Sequence, residues 1–192
     1  GQITSTGNPS GTFYSSVIRL KGVTTQSNKA FDIWAFCVDL AHTINVGINS
    51  MANINYTYTP GTLTQDGYGN MLSAAQVQQI SGLASVGFAI ARGNDVDRAA
   101  KLAAIQGAIW EIEYGASTIS AANNHFPGLD AMIDHYVDIA PTLKRHARFI
   151  SAPNGQGLVT YVPEPSTWAL LIAGFGMVGM AMRRRTRVAV AA

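Results

Sequence analysis

Between Ala99 and Ile112 the chain offers only three polar side chains, Lys101, Gln106 and Glu111. The segment Arg98 to Gly115, RAAKLAAIQGAIWEIEYG, predicts a helix. A helix apolar almost all round has no solvent face and must be wrapped by the rest of the chain. Gln106 then stands out. Its neighbours three and four positions away are Leu102, Ala103, Ile109 and Trp110, so its amide lies on an apolar face. A buried amide without partners costs about 1–3 kcal/mol. Either a polar partner waits there or the amide is consumed in chemistry. Gly107, directly after it, lets another segment approach the helix closely.

The 192 residues suffice for one domain with its own core. Charged residues make up only 12%, about half the usual ~25%. Four arginines and Glu164 place +3 in the last thirty residues, which leaves the body at −1 of the formal +2. No basic patch remains for nucleic acid, and none is expected as a partner. The chain begins at Gly1 without a Met, as removal of a signal peptide would leave it.

In chain order, residues 1–11 are polar and Gly-rich. Thr12 to Val23 predicts a strand through Phe13, Tyr14, Val17, Ile18 and Leu20. Ala30 to Leu40 is the strongest strand signal. Ile33, Ala35 and Cys37 alternate with Trp34, Phe36 and Val38, and both faces are apolar, which predicts a central place in a sheet. Thr43 to Gly69 predicts a long loop with a short strand at Ile54–Thr59 and a turn at Pro60-Gly61. Its Tyr56, Tyr58 and Tyr68 read as half-buried strand residues, or else as a binding surface. Ser73 to Ala91 predicts an amphipathic helix, opened by a capping box of Ser73 with Gln76 and closed at Gly93. Asn94 or Asp95 is expected to cap the central helix. Leu129 to Ile139 predicts a third helix, with Leu129, Met132, Ile133 and Tyr136 on one stripe and Pro141 beyond it. Arg148 to Val162 predicts a hairpin turning at Pro153-Asn154-Gly155. Strands, then three helices, then strands give an α+β fold: a sheet or small barrel with an inserted three-helix region.

From Val162 the composition changes. Trp168 to Met182 is an uncharged apolar run ended by Arg183, Arg184 and Arg185. With Ser166 and Thr167 extending it and the arginines reaching back to the interface, it is expected to form a C-terminal transmembrane helix with its charged end inside. Together with Pro163-Glu164-Pro165 and the Ser-Thr-Trp-Ala-Leu-Leu after it, this tail resembles the PEP-CTERM sorting signal of Gram-negative bacteria. The resemblance covers 162–192 and leaves 1–161 as an extracellular α+β domain. It implies export, transient anchoring in the inner membrane, processing by an exosortase, and a destination at the cell surface or in the extracellular matrix, as of a biofilm.

Cys37 is the only cysteine. In an exported protein an unpaired cysteine invites oxidation, although a small buried apolar residue in a strand is the simplest reading. Phe36-Cys37-Val38-Asp39 and Gln106-Gly107-Ala108-Ile109-Trp110 together resemble the thioester domains of bacterial surface adhesins. That resemblance implies an internal thioester between Cys37 and Gln106, formed with loss of ammonia and able to acylate an amine or hydroxyl on a target. A thiolate leaves far more readily than an amide nitrogen.

Other chemistries are less supported. Cys37 with His42, His125 or His135 has no recognisable hydrolase spacing. His42, His125, His135 and His146 show no metal-ligand spacing. Asp32 with Asp39, and Glu111 with Glu113, read as turn or solvent-edge charges. Neither enzyme activity nor a cofactor is expected. Two functions stay open: a sorted surface protein that attaches covalently through the thioester, and a structural matrix protein of the same fold without the bond.

Overall fold

The computed structural model describes residues 2–6, 10–25, 27–42, 57–115, 118–122, 126–144, 147–152, 155–161 and 165–185. The chain divides into two compact units, Gly1–Tyr161 and Val162–Ala192. Among the described residues the fold is mixed, with two sheets and four helices.

The first unit opens with β1 (Gln2–Ser5), β2 (Gly11–Tyr14), β3 (Ile18–Val23), β4 (Ala30–Cys37) and β5 (Thr59–Gly61). Then come helices α1 (Ala74–Arg92) and α2 (Arg98–Tyr114), strand β6 (Ile119–Ala121) and helix α3 (Leu129–Ile139). Strands β7 (Ala147–Ala152) and β8 (Gly155–Tyr161) close it. All pairings are antiparallel, in a three-stranded sheet β2-β1-β6 and a five-stranded sheet β3-β4-β8-β7-β5. The sheet or small barrel of the sequence reading is thus two separate sheets. The helical region is inserted between β5 and β7, as expected.

The expected single strand over Thr12–Val23 divides between these two sheets. Ser15 causes the break: it is fully buried, and its hydroxyl donates to the Ala103 carbonyl of α2 at 2.7 Å. An alternating run continues only while every backbone group has a ladder partner. Here the chain leaves the first sheet to satisfy a helix instead. Strand β4 lies inside its sheet, between β3 and β8, and buries Ala35, Phe36 and Cys37. It ends three residues earlier than expected, because Val38 N–H turns to the Gly157 carbonyl and Leu40 N–H to the Tyr114 hydroxyl.

Helix α1 carries both bonds of the predicted capping box. Ser73 Oγ accepts from Gln76 N–H, and Gln76 Oε1 accepts from Ser73 N–H. Gln76 Nε2 also donates to the Ile112 carbonyl of α2, so one side chain ties two helices together. Gly93 ends α1. Helix α2 packs against both α1 and α3. Ten of its seventeen residues are buried, which is what an all-round apolar sequence demands. Its cap differs from expectation. Asp97 holds the N-cap position without a side-chain bond, while Asp95 accepts from Asp97 N–H and pairs with Lys101. Helix α3 has the predicted bounds and buries Leu129, Ile133 and Tyr136. The hairpin β7–β8 forms, with Pro153 and Asn154 of its predicted turn outside the described residues.

The predicted strand at Ile54–Thr59 falls mostly outside the described residues, as does Tyr56; a strand is described at Thr59–Gly61. Tyr58 is half-buried, and Tyr68 packs edge-on against Tyr114 with ring centroids 6.3 Å apart.

The second unit contains helix α4 (Pro165–Arg185). The expectation of a transmembrane helix is corrected here: no helix among the described residues is long and apolar enough to cross a membrane. The uncharged run of fifteen residues extends only about 22 Å at 1.5 Å per residue, short of a hydrocarbon core of ~30 Å.

Candidate functional site

The apolar face of α2 that carries Gln106 meets the end of β4. Gln106 is fully buried and spends its amide on the main chain of Cys37. Its Oε1 accepts from Cys37 N–H at 2.9 Å, and its Nε2 donates to the Cys37 carbonyl at 2.8 Å. Both groups belong to the last residue of β4. The β3 ladder stops at Ala35, and the helix amide serves these two groups, while β8 still pairs with Cys37 through Leu158. Gly107, the next residue, lets other elements approach α2 closely. A Cβ there would lie 2.7 Å from Ile133 Cδ1 and 2.8 Å from Ile3 Cδ1, so α3 and β1 both close on that point.

The thiol of Cys37 has a different partner. Its Sγ donates to Gln156 Oε1 at 2.9 Å, and Gln156 Nε2 donates to the Asp39 carbonyl at 2.6 Å. Gln156 escaped the sequence analysis. Its one signal is its setting, Gly155-Gln156-Gly157: glycines inside a strand mark a close approach of other backbone. Burial pushes the Cys37 thiol well above its ordinary range, with Asp39 and Glu113 adding to the effect. At neutral pH the sulfur therefore keeps its proton.

Beyond Cys37 the segment to Leu40 runs along α2 toward Tyr114. Asp39 is buried there, not at a solvent edge. Its carboxylate accepts from Ala41 N–H and His42 N–H and lies 2.7 Å from His42 Nδ1. Glu113, two turns after Gln106 on the same face of α2, is also buried, and neither carboxyl oxygen has a hydrogen-bond partner. Burial raises its pKa well above the usual carboxylate range, and Asp39 and Asp66 push it further. Burial of Glu113 corrects its reading as a surface charge. An open pocket of about 220 Å³ lies over this region, lined by Val38, Asp39, His42, Asp66, Gly155 and Gly157 among others.

The remaining candidates are dispersed. Asp32 lies on β4 at the surface, bound by Arg19 through two hydrogen bonds that lower its pKa. It does not meet Asp39. His135 meets the Tyr136 ring of α3 edge-on, and His125 and His146 lie outside the described residues. Among the described residues the thiol's partner is Gln156 and that of His42 is Asp39. No group of three or more His, Cys, Asp or Glu among the described residues is placed to hold a metal ion. Of the tail positions, Pro163 and Glu164 lie outside the described residues. Pro165, Arg183, Arg184 and Arg185 fall within α4.

Comparison with known proteins adds two findings. Residues 162–185 match the family model of the PEP-CTERM protein-sorting motif. Such a signal indicates export with processing by an exosortase. The chain is also similar in structure to the N-terminal thioester domain of fibronectin-binding protein SfbI from Streptococcus pyogenes. The two are 13% identical, with a TM-score of 0.45, and the match covers 78% of this chain and 95% of that one. Comparison with curated protein sequences gives no match.

Proposed function

We propose that this chain is an exported surface or matrix protein whose body forms an internal thioester between Cys37 and Gln106 and acylates an amine or hydroxyl on a target. The observation that carries this reading is the pair of reciprocal hydrogen bonds between the buried Gln106 carboxamide and the main chain of Cys37. They anchor the Gln106 amide on the main chain of the residue that carries the thiol, and burial of both residues supports the reading by keeping competing water away.

In this reading the Cys37 sulfur adds to Gln106 Cδ. As negative charge grows on Oε1, the Cys37 N–H already bonded to it is the preset donor that stabilises it. The Cδ–Nε2 bond then breaks, the thiol proton ends on that nitrogen, and ammonia leaves. The tail delivers the body to its site of action. The exposed apolar side chains of α4, among them Leu170, Ile172, Phe175 and Met180, engage the inner membrane transiently, and an exosortase acts at the Pro163-Glu164-Pro165 region.

The test is the intact mass of the exported protein. Thioester formation lowers it by about 17 Da, one ammonia, and methylamine then adds about 31 Da. An unshifted mass that methylamine leaves unchanged rejects the covalent mechanism. A second reading is favoured by one observation: the thiol and both polar atoms of the Gln106 amide already have hydrogen-bond partners. In that reading the body is a non-covalent structural matrix protein, and Cys37 and Gln106 serve the core alone.

A further inference from the structure

We propose that the pocket lined by Asp39, Asp66 and His42 binds a protonated primary amine on an alkyl chain, as at the end of a lysine side chain, and that Glu113 beneath it supplies a third negative charge once the cation is seated. The site is non-covalent and stands whether or not the thioester forms.

Three carboxyl groups gather here from three segments. Asp39 follows the end of β4, Asp66 sits in the turn after β5, and Glu113 lies near the end of α2. Asp39 and Asp66 are each only 8% exposed, and both line the open pocket. Gly67 lets their segments meet: a Cβ there would overlap Asp39 Oδ1. Among the described residues no Lys or Arg pairs with any of the three, and the one ion-pair partner is His42, on Asp39. Glu113 is 6% exposed, and neither of its oxygens has a hydrogen-bond partner. It faces Asp39 and Asp66, whose charges disfavour its own. Buried carboxylates without a cation are costly, so this corner of the core carries an excess of negative charge that a ligand cation relieves.

The acceptor sites left over decide which cation fits. A carboxylate offers about four lone-pair sites. Asp66 spends three, on Tyr68 N–H, Asn70 N–H and Asn70 Nδ2. Asp39 spends three, on Ala41 N–H, His42 N–H and His42 Nδ1, and the Gly157 N–H at 3.5 Å is too distant to fill the fourth. Each carboxylate thus keeps one site. A guanidinium fork takes both oxygens of one carboxylate, whereas an ammonium group aims its three N–H donors separately and can use one site on each. Val38 and Phe149 give the pocket an apolar wall for the alkyl chain, and Ser151 adds a hydroxyl. Its volume of about 220 Å³ is below the ~300–1,000 Å³ of sites for drug-sized ligands and suits one side chain. A seated cation also favours the ionised form of Glu113. Binding then releases a proton, and affinity rises with pH while the amine itself stays protonated, below about pH 10. Asp39, Asp66, Cys37 and Tyr114 face Glu113, and His42 faces Asp39. Loss of a proton from His42 acts in the same direction, because it removes a rival cation.

The test uses the full chain carrying Cys37→Ala, so that no acyl transfer takes part, with Nα-acetyl-lysine N-methylamide as the probe. Calorimetry is expected to show saturable binding that tightens from pH ~6 to pH ~9. The neutral norleucine counterpart should bind about tenfold more weakly or worse. Asp66→Asn keeps an oxygen for Tyr68 and Asn70 and is expected to lose about tenfold in affinity; if it does not fold, Asp39→Asn takes its place. Glu113→Gln should keep binding near pH ~6 and release fewer protons, read from buffers of different ionisation enthalpy. Putrescine separates the sources: tighter binding of the lysine amide marks a protein ligand, tighter binding of putrescine a free diamine, and either supports the site. Equal affinity for the lysine and norleucine probes, no saturation by any amine, or unchanged affinity in the carboxamide variant overturns the site. Unchanged proton release in Glu113→Gln overturns the part given to Glu113. The mass deficit, which tests the thioester, is read separately on the chain that keeps Cys37.

Discussion

Gln106 binds the main chain of Cys37, not its sulfur, through hydrogen bonds of 2.9 and 2.8 Å across 69 positions of sequence. The side chain therefore carries a structural duty whatever chemistry it performs. In a Cys37→Ala background no cross-link can form, and adding Gln106→Ala there strips a buried N–H and a buried carbonyl of their partners and opens a cavity. The expected cost is about 3–5 kcal/mol, read as a fall in the urea unfolding midpoint. A loss below about 1 kcal/mol would mean that the two main-chain groups find other partners.

Gly107→Ala sets two effects against each other. Helix propensity favours Ala by about 1 kcal/mol. The new methyl group would meet Ile133 Cδ1 at 2.7 Å and Ile3 Cδ1 at 2.8 Å, and overpacking costs about 1–3 kcal/mol. A net loss of about 1 kcal/mol is expected, partly recovered by adding Ile133→Val. If Gly107→Ala is more stable than the parent in thermal melts, the close packing at this turn of α2 is wrong.

Glu113 makes stability depend on pH with a defined sign. Its folded pKa lies above the value in the unfolded chain, because burial without a hydrogen-bond partner disfavours its charge. Between those two values the folded state holds a proton that the unfolded state has released. Glu113 therefore lowers stability as pH rises from the ordinary carboxyl range toward the raised value. A neutral amide at this position has no such slope, so Glu113→Gln is expected to be neutral near pH ~4 and stabilising by about 1 kcal/mol or more near pH ~8. Parallel urea midpoints for both proteins across that range would contradict the assignment.

The sorting motif is tested apart from the body. A reporter with a signal peptide and residues 160–192 at its C-terminus is expected to be cleaved and released in a strain that has an exosortase. Replacing Pro163, Glu164 and Pro165 with Ala should leave it uncleaved. Release of the altered fusion at the normal rate would show that the match over 162–185 does not direct processing.

Local sequence determined α1, α3 and the burial of α2. The Ser73–Gln76 capping box, the stripe Leu129, Ile133 and Tyr136, and the shortage of polar residues in α2 are each short-range signals, and each helix formed where its signal lay. Cys37 and Gln106 were visible as chemical oddities for the same reason. Tertiary structure alone decided what they touch. The alternating run breaks at Ser15, whose buried hydroxyl takes its acceptor from a helix carbonyl 88 positions away. Gln156, between two glycines in a strand with no local mark of function, came to the sulfur because β8 pairs with β4. Glu113 looked like a surface charge until packing closed over it. Propensity and periodicity act over a few neighbouring residues, whereas a buried polar group takes its partner from whichever distant segment the packing of the whole core brings beside it.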